Sequence, residues 1–257
     1  MEFLLHGFIP GFAGAQPIQS KLSCRNEVED LKSIFHKEIE MKKIAVVLCG
    51  SGFKDGSEIR ESVAVLWGLS RLGVQVQCFA PDKPQADVIN CLTGKPLTGE
   101  TRNMLTEAAR IARGEILPLT QLKSAQFDAV IIPGGFGVAK NLCSFAIEGS
   151  KGKVLPEFKD ALHAFHTENK PIGAVCIAPA AVAMAFPGKH FEMTVGGPSE
   201  AAQEIEKLGH KHIPTAASEC HVDRKNKIIT TAAYMCEAPL HEIFEGVRKL
   251  TEEIVKL

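Results

Sequence analysis

The stretch PIGAVCIAPA, residues 171–180, places a thiol where an apolar run stops and helix-forming residues begin. Valine or alanine would pack there as well, so Cys176 raises a chemical question. A strand-to-helix turn holds its central residue in a strained conformation and aims the side chain over the sheet edge, the geometry of a nucleophile elbow. The first amides of the following helix, Ile177 among them, carry positive partial charge. Both features favour thiolate, the reactive species. The competing reading is a buried, inert cysteine, since free cysteine packs like a small hydrophobe.

Two further segments hold residue types that fit the same chemistry. SGFKDGSEIRE (51–61) carries Glu58 and Glu61, three apart and therefore on one face of a helix. A carboxyl turned inward beside a thiolate resists ionising, stays protonated and donates a hydrogen bond to sulfur. The alternative is a pair of solvated first-turn acids favoured by the helix dipole. PGGFG (133–137) carries Gly134 and Gly135, which permit close backbone approach. Their N–H groups suit an anion nest or oxyanion hole, although a plain tight turn uses the same residues. The glycine spacing is not G-x-G-x-x-G, so the dinucleotide fingerprint is absent.

These segments need elements to position them. KIAVVLC (43–49) is an apolar run and predicts a buried strand. A helix follows, capped by Ser57 and stopped by Gly73, with Ile59, Val63, Leu66 and Trp67 at helical spacing. VQVQCFA (74–80) is a second strand, and a polar excursion at 81–99 leads to a helix near 100–112. FDAVIIPGG (127–135) is a strand ending in glycines, and a helix at 154–168 precedes the strand 171–175 and a helix at 177–185. Further strands are expected near 191–196, 217–222 and 227–231, with a helix near 199–208. The last helix, 237–256, carries Leu240, Ile243, Phe244, Val247, Leu250 and Ile254 on one stripe. Alternation of this kind predicts one α/β domain, a doubly wound and mostly parallel sheet with helices on both faces. Ligands of such sheets bind at the carboxyl ends of the strands. The segments holding Glu58 and Glu61, Gly134 and Gly135, and Cys176 all fall there and should converge.

The totals narrow the function class. The chain has 257 residues with formal net charge −1, 45% apolar and 23% charged residues. No basic cluster with interleaved aromatics attracts nucleic acid, and no run has the length of a membrane span. Eight cysteines are present without a Cys-x-x-Cys pair, which predicts reduced thiols and no zinc ribbon. His210-x-His212 offers two ligand types with no third in view and reads as solvated loop, and His221 reads as structural or surface. Residues 1–40 stand apart as an extension, disordered or a leader, with 26–39 a short helix. They hold one arginine and six acids, a poor match to a transit peptide. The cytoplasm is the expected location, with mitochondria as the alternative should 1–40 prove a transit peptide.

Together, a first-helix glutamate, PGG after a strand and a cysteine elbow resemble the DJ/PfpI superfamily, whose fold is class I glutamine amidotransferase-like and flavodoxin-like. DGSEI, FAPD, TRN, EAARIARGEI, PGGFGVAKNL, CIAP and VDRKNKIITTAAYM resemble its ElbB branch, the glyoxalase or sigma cross-reacting type, from about Met41 to the C-terminus. The resemblance implies Cys176 as nucleophile, Glu61 as its supporting carboxyl with Glu58 the runner-up, and Gly135 with the Ile177 amide as the oxyanion site. It also implies a homodimer. Two departures stand out. The proteolytic branch has histidine directly after the nucleophile, where this chain has Ile177. Glutaminases have a His-x-Glu pair far downstream, whereas His190-Phe191-Glu192 comes only fourteen residues after Cys176. The implied activity is a glyoxalase, glyoxal to glycolate, or a deglycase, acting on a small dicarbonyl without cofactor, metal or glutathione. The alternative is a non-enzymatic redox-sensing or interaction protein whose reactive cysteine is oxidised.

Overall fold

The structure is a computed structural model that describes residues 41–257. The expected short helix at 26–39 lies outside the described residues. Seven strands form the main sheet: β1 (Lys43–Val47), β2 (Gln75–Ala80), β3 (Ile116–Pro118), β4 (Ala129–Ile132), β5 (Ile172–Val175), β6 (Cys220–Asp223) and β7 (Ile228–Thr231). Their order is β6-β7-β5-β4-β1-β2-β3. All neighbours are parallel except β6 and β7. Side chains alternate across the pleat. Ile44 and Val46 of β1 enter one apolar cluster, and Ala45 and Val47 enter the other. Both faces of the central strands are covered, so their sequences read as unbroken apolar runs.

The helices divide between these faces. Those of two turns or more are α1 (Ile59–Arg71), α2 (Met104–Ile111), α3 (Pro156–Thr167), α4 (Ala178–Ala185), α5 (Glu200–Lys207) and α6 (Leu240–Lys256). Phe158, Leu162 and Phe165 of α3 and the alanines of α4 fill one cluster. Val65 and Leu69 of α1 meet Val247, Leu250 and Ile254 of α6 in the other. The expected doubly wound α/β architecture is therefore the observed one.

Helix α1 departs from its expected register. Ile59, Val63 and Trp67 are 47%, 45% and 43% exposed, and the buried face holds Glu61, Ser62, Ala64, Val65, Gly68 and Leu69. The reason is close helix approach. A Cβ on Gly68 would lie 2.6 Å from Thr251 Oγ1 of α6, so only the small-residue face fits against that helix. The expected cap also shifts. Ser57 Oγ accepts the Cys49 amide, at 2.9 Å, while Glu58 caps α1.

One strand expectation changes as well, and one strand was not expected. The segment near 191–196 yields only Glu192–Met193, paired with Lys211–His212 outside the main sheet. The edge strand β3 has no alternation to read: it is three residues long and ends in Pro118, which an edge tolerates.

Gly246 of α6 shows how tightly this layer is packed. An added Cβ would sit 2.1 Å from the Ala217 carbonyl oxygen, a backbone atom that cannot rotate aside. Alanine gains about 1 kcal/mol of helix propensity, but overpacking costs roughly 1–3 kcal/mol. Gly246→Ala is expected to lower the melting temperature measured by circular dichroism. An unchanged or raised melting temperature would show that the α6 packing yields.

Candidate active site

The loops at the carboxyl ends of β1, β4 and β5 converge. Backbone bonds stitch the first two together: Glu58 N–H donates to Gly134 O (2.8 Å), Phe136 N–H to Phe53 O (2.8 Å) and Gly137 N–H to Gly56 O (3.0 Å). Glycine is required where they touch. A Cβ on Gly135, whose φ is +106°, would lie 2.4 Å from Gly56 O. A Cβ on Gly134 would lie 2.4 Å from both Cys176 Cβ and Glu61 Oε2. Gly134 thus leaves the room in which thiol and carboxyl pack side by side.

Cys176 has φ +63°, a left-handed conformation that side-chain-bearing residues rarely adopt. Such strain costs on the order of 1–3 kcal/mol and persists only when neighbours impose it. Here the Cys176 amide donates to Thr231 O at the end of β7 (2.9 Å), and α4 starts at once. The amides of Gly135 and Ile177 face the sulfur and pull its pKa down. Burial acts in the opposite direction and more strongly. The residue is 7% exposed, and desolvation, then the charge of an ionised Glu61, raise the thiol well above its ordinary value. The expectation that position alone favours the thiolate is therefore corrected. The elbow supplies the amides, but the closed site holds the proton.

Glu61 holds it too. The side chain is fully buried, and burial, with the nearby Glu58 charge, pushes its pKa up to about 8. Oε1 accepts the Tyr234 amide (3.2 Å), and the Gly134 amide also favours the carboxylate. Oε2 is buried, with no partner within ordinary hydrogen-bond geometry and the Cys176 thiol as the one polar side chain placed to bond to it. A protonated Oε2 facing the thiol would be a donor waiting for an acceptor that exists only once sulfur loses its proton.

Glu58 has a different role. Its carboxyl accepts the Glu61 amide (2.6 Å) as the α1 cap, and it lines the cavity mouth half-buried, its pKa raised by burial. Of the two carboxylates, Glu61 is the one beside sulfur. Gly134 sends its amide toward Glu61, while Gly135 and Ile177 direct theirs at Cys176.

The cavity above the thiol has a volume of about 740 Å³ and is lined by Phe53, Glu58, Arg60, Gly135, Phe136, Cys176, Ile177, Tyr234 and Met235. Sequence reasoning passed over Arg60 and Tyr234. Tyr234 lies on a short turn after β7, entered through Ala233 at φ +41°, and its hydroxyl accepts from Arg60 Nη1 (3.1 Å). The available signal was positional: the chain's single tyrosine follows a strand carboxyl end.

No histidine lines this cavity among the described residues. His221 Nε2 lies 3.3 Å from Glu192 Oε2 at the edge strand. His210 is buried: Nδ1 accepts the Phe191 amide (3.1 Å) and Nε2 faces Ala183 O (3.1 Å). His212 Nε2 accepts the Val195 amide (3.3 Å). His210 is thus a core residue rather than solvated loop. No group of three His, Cys, Asp or Glu side chains among the described residues is arranged to hold a metal ion.

The raised Glu61 pKa has a stability consequence. The native carboxyl binds its proton more tightly than the unfolded one, so stability falls as pH rises from about 4.5 to about 8 and stays reduced above. Glu61→Gln removes that titration. The variant's melting temperature is expected to gain on the wild type across this window, by the equivalent of several kcal/mol or less. Parallel profiles from pH 5 to pH 9 would show that Glu61 ionises normally.

Comparison with known proteins agrees with the fold. The model of the DJ-1/PfpI family matches residues 42–239. The human glutamine amidotransferase-like class 1 domain-containing protein 3, mitochondrial, is 47% identical over 224 residues, covering 84% of this chain and 83% of its own. The rat ES1 protein homolog, mitochondrial, is 43% identical over 247 residues, covering 92% of each. The crystal structure of an isoprenoid biosynthesis protein with amidotransferase-like domain from Ehrlichia chaffeensis superposes with a TM-score of 0.78 at 38% identity, covering 84% of this chain and 98% of that one. The chain belongs to the DJ-1/PfpI family.

Proposed function

We propose that this protein is a cofactor-independent enzyme of the glyoxalase or deglycase type, with Cys176 as nucleophile and Glu61 as proton carrier. The observation that carries the reading is the buried Glu61 Oε2, which has no partner but the Cys176 thiol beside it. A purely structural carboxyl would not be left without a partner at such cost.

The chemistry proceeds in balanced steps. Cys176 sulfur adds to the aldehyde carbon of a 2-oxoaldehyde, Glu61 delivers its proton to the former aldehyde oxygen, and the thiol proton passes to solvent, giving a hemithioacetal beside a Glu61 carboxylate. The developing oxyanion lies near the Gly135 and Ile177 amides. Glu61, as carboxylate once its proton is delivered, takes the proton from the adduct carbon. The resulting enediol is reprotonated at the neighbouring carbon, which yields a thioester. Water cleaves the thioester, releasing a 2-hydroxy acid and restoring the thiol. The oxidation of one carbon is matched by reduction of its neighbour, so no external oxidant is needed. Proton transfer by a positioned side chain is worth about 10²–10⁴ in rate.

A glutaminase reading has less support, despite the amidotransferase-like names of two relatives. That reaction needs a base beside the nucleophile, and His190 and Glu192 do not line the cavity. The motifs resembling the ElbB branch favour glyoxalase chemistry. The names of the human and rat relatives support a mitochondrial location over the cytoplasm, testable by imaging a fluorescent fusion of the full chain. A homodimer is the proposed assembly, testable by sedimentation.

The deciding experiment is glyoxal turnover by the purified chain, with glycolate followed by NMR. Cys176→Ala should abolish it. Glu61→Gln keeps a hydrogen-bond donor but cannot carry a proton, and should lower kcat by about 10²-fold or more while Cys176 still alkylates. Consumption of one equivalent without glycolate release would overturn the enzyme reading in favour of a thiol that is merely modified. Full activity of Glu61→Gln would remove the acid-assisted mechanism.

A further inference from the structure

The cavity over Cys176 is much larger than glyoxal requires. Its walls are apolar at Phe53, Phe136, Ile177 and Met235, and the two phenylalanines are exposed. It contains a single cationic side chain, Arg60. That arginine is placed against its own helix. It is the second residue of α1, where the dipole disfavours positive charge. Its guanidinium makes no salt bridge among the described residues. It donates one bond to the Tyr234 hydroxyl, and Glu58 acts on it only at longer range. Glu58 is itself engaged as the α1 cap. A guanidinium has five donors and suits bidentate binding of a carboxylate.

We propose that Arg60, held by Tyr234, is a specificity-determining anion anchor, and that the physiological substrate is a reactive carbonyl compound carrying a carboxylate at the far end of an apolar body. The carbonyl chemistry rests on the function proposed above; the anchor does not. The body lies against Phe53, Phe136 and Met235, the carboxylate meets the Arg60 fork, and the reacting carbon reaches the sulfur. Free glyoxal and methylglyoxal fill only a corner of this space and leave Arg60 unused, so they are poor substrates by construction. The Tyr234 hydroxyl fixes one edge of the guanidinium and leaves the remaining donors free for the ligand.

Two alkylating probes of nearly equal shape test the anchor: 4-(bromomethyl)benzoate and 4-(bromomethyl)benzamide. In each the Cys176 sulfur forms a bond to the benzylic carbon, bromide leaves, and the thiol proton passes to buffer. The rate at Cys176 is read by peptide mass on the full chain, as the ratio of acid to amide. The ratio should exceed that of the denatured chain by about tenfold, the scale of one charge-assisted bond, and should fall in 1 M NaCl. Arg60→Ala should bring it to the denatured value, Arg60→Lys should keep part of it, and Tyr234→Phe should reduce it. Lys95→Ala, at an exposed lysine outside the cavity lining, is the charge control. A ratio equal to that of the denatured chain, or one indifferent to Arg60, overturns the anchor. The same two substituents on phenylglyoxal, followed as conversion to the mandelates, test the substrate class. Faster turnover of the carboxylate in the wild type, lost in Arg60→Ala, supports it. Preserved alkylation selectivity with no turnover would sink the carbonyl reaction and leave the anchor standing.

Discussion

One contact organises this protein: a buried carboxyl packed against a thiol, so close beside Gly134 that a Cβ there would meet both side chains. Each group suffers from the other's charge and from loss of water. Two negative charges packed together at so buried a site are untenable, so the pair keeps a proton at neutral pH. Unpaired burial of that kind is costly, and the surrounding architecture exists to impose it. The left-handed turn at Cys176, the glycine pair after β4 and the stitched loop 51–58 each remove a route by which the two groups could separate.

The position of Glu61 follows from how α1 lies on α6. The helix presents its small residues to its neighbour and leaves Ile59, Val63 and Trp67 facing outward. With the bulky stripe turned inward, Glu61 would point to solvent. The choice of face is thus also the choice between a titrating surface acid and a proton carrier. The cap residue Glu58 reinforces it: by accepting the Glu61 amide it orients the first turn, and its charge raises the pKa of its neighbour.

Much of this was legible in the sequence. The alternation of apolar runs and amphipathic segments predicted the doubly wound sheet, and the rule that ligands bind at strand carboxyl ends brought three distant segments together. The failures share a cause. The α1 register was read from hydrophobicity, whereas the outcome depended on which face is narrow enough to meet α6 at Gly68. The acidity of Cys176 was read from local helix geometry, whereas burial, a property of the whole chain, governs it. Arg60 and Tyr234 escaped notice because a lone cation and a lone aromatic on separate segments have no spacing to recognise. Their pairing exists only after β7 and α1 are laid side by side. The edge strand β3 was too short to show a period.

Tyr234 touches both ends of the site with different parts of itself. Its backbone amide donates to Glu61 Oε1, and its hydroxyl accepts from Arg60. The residue is reached through the strained Ala233 turn, so it cannot slide without disturbing both partners. Occupancy at the mouth and protonation at the floor are therefore linked quantities: whatever shifts the ring alters how firmly Glu61 keeps its proton, and ionisation of Glu61 alters how firmly the ring is held. Linkage of this kind is reciprocal. A compound that engages the outer end of Tyr234 tunes the acidity of a group it never touches.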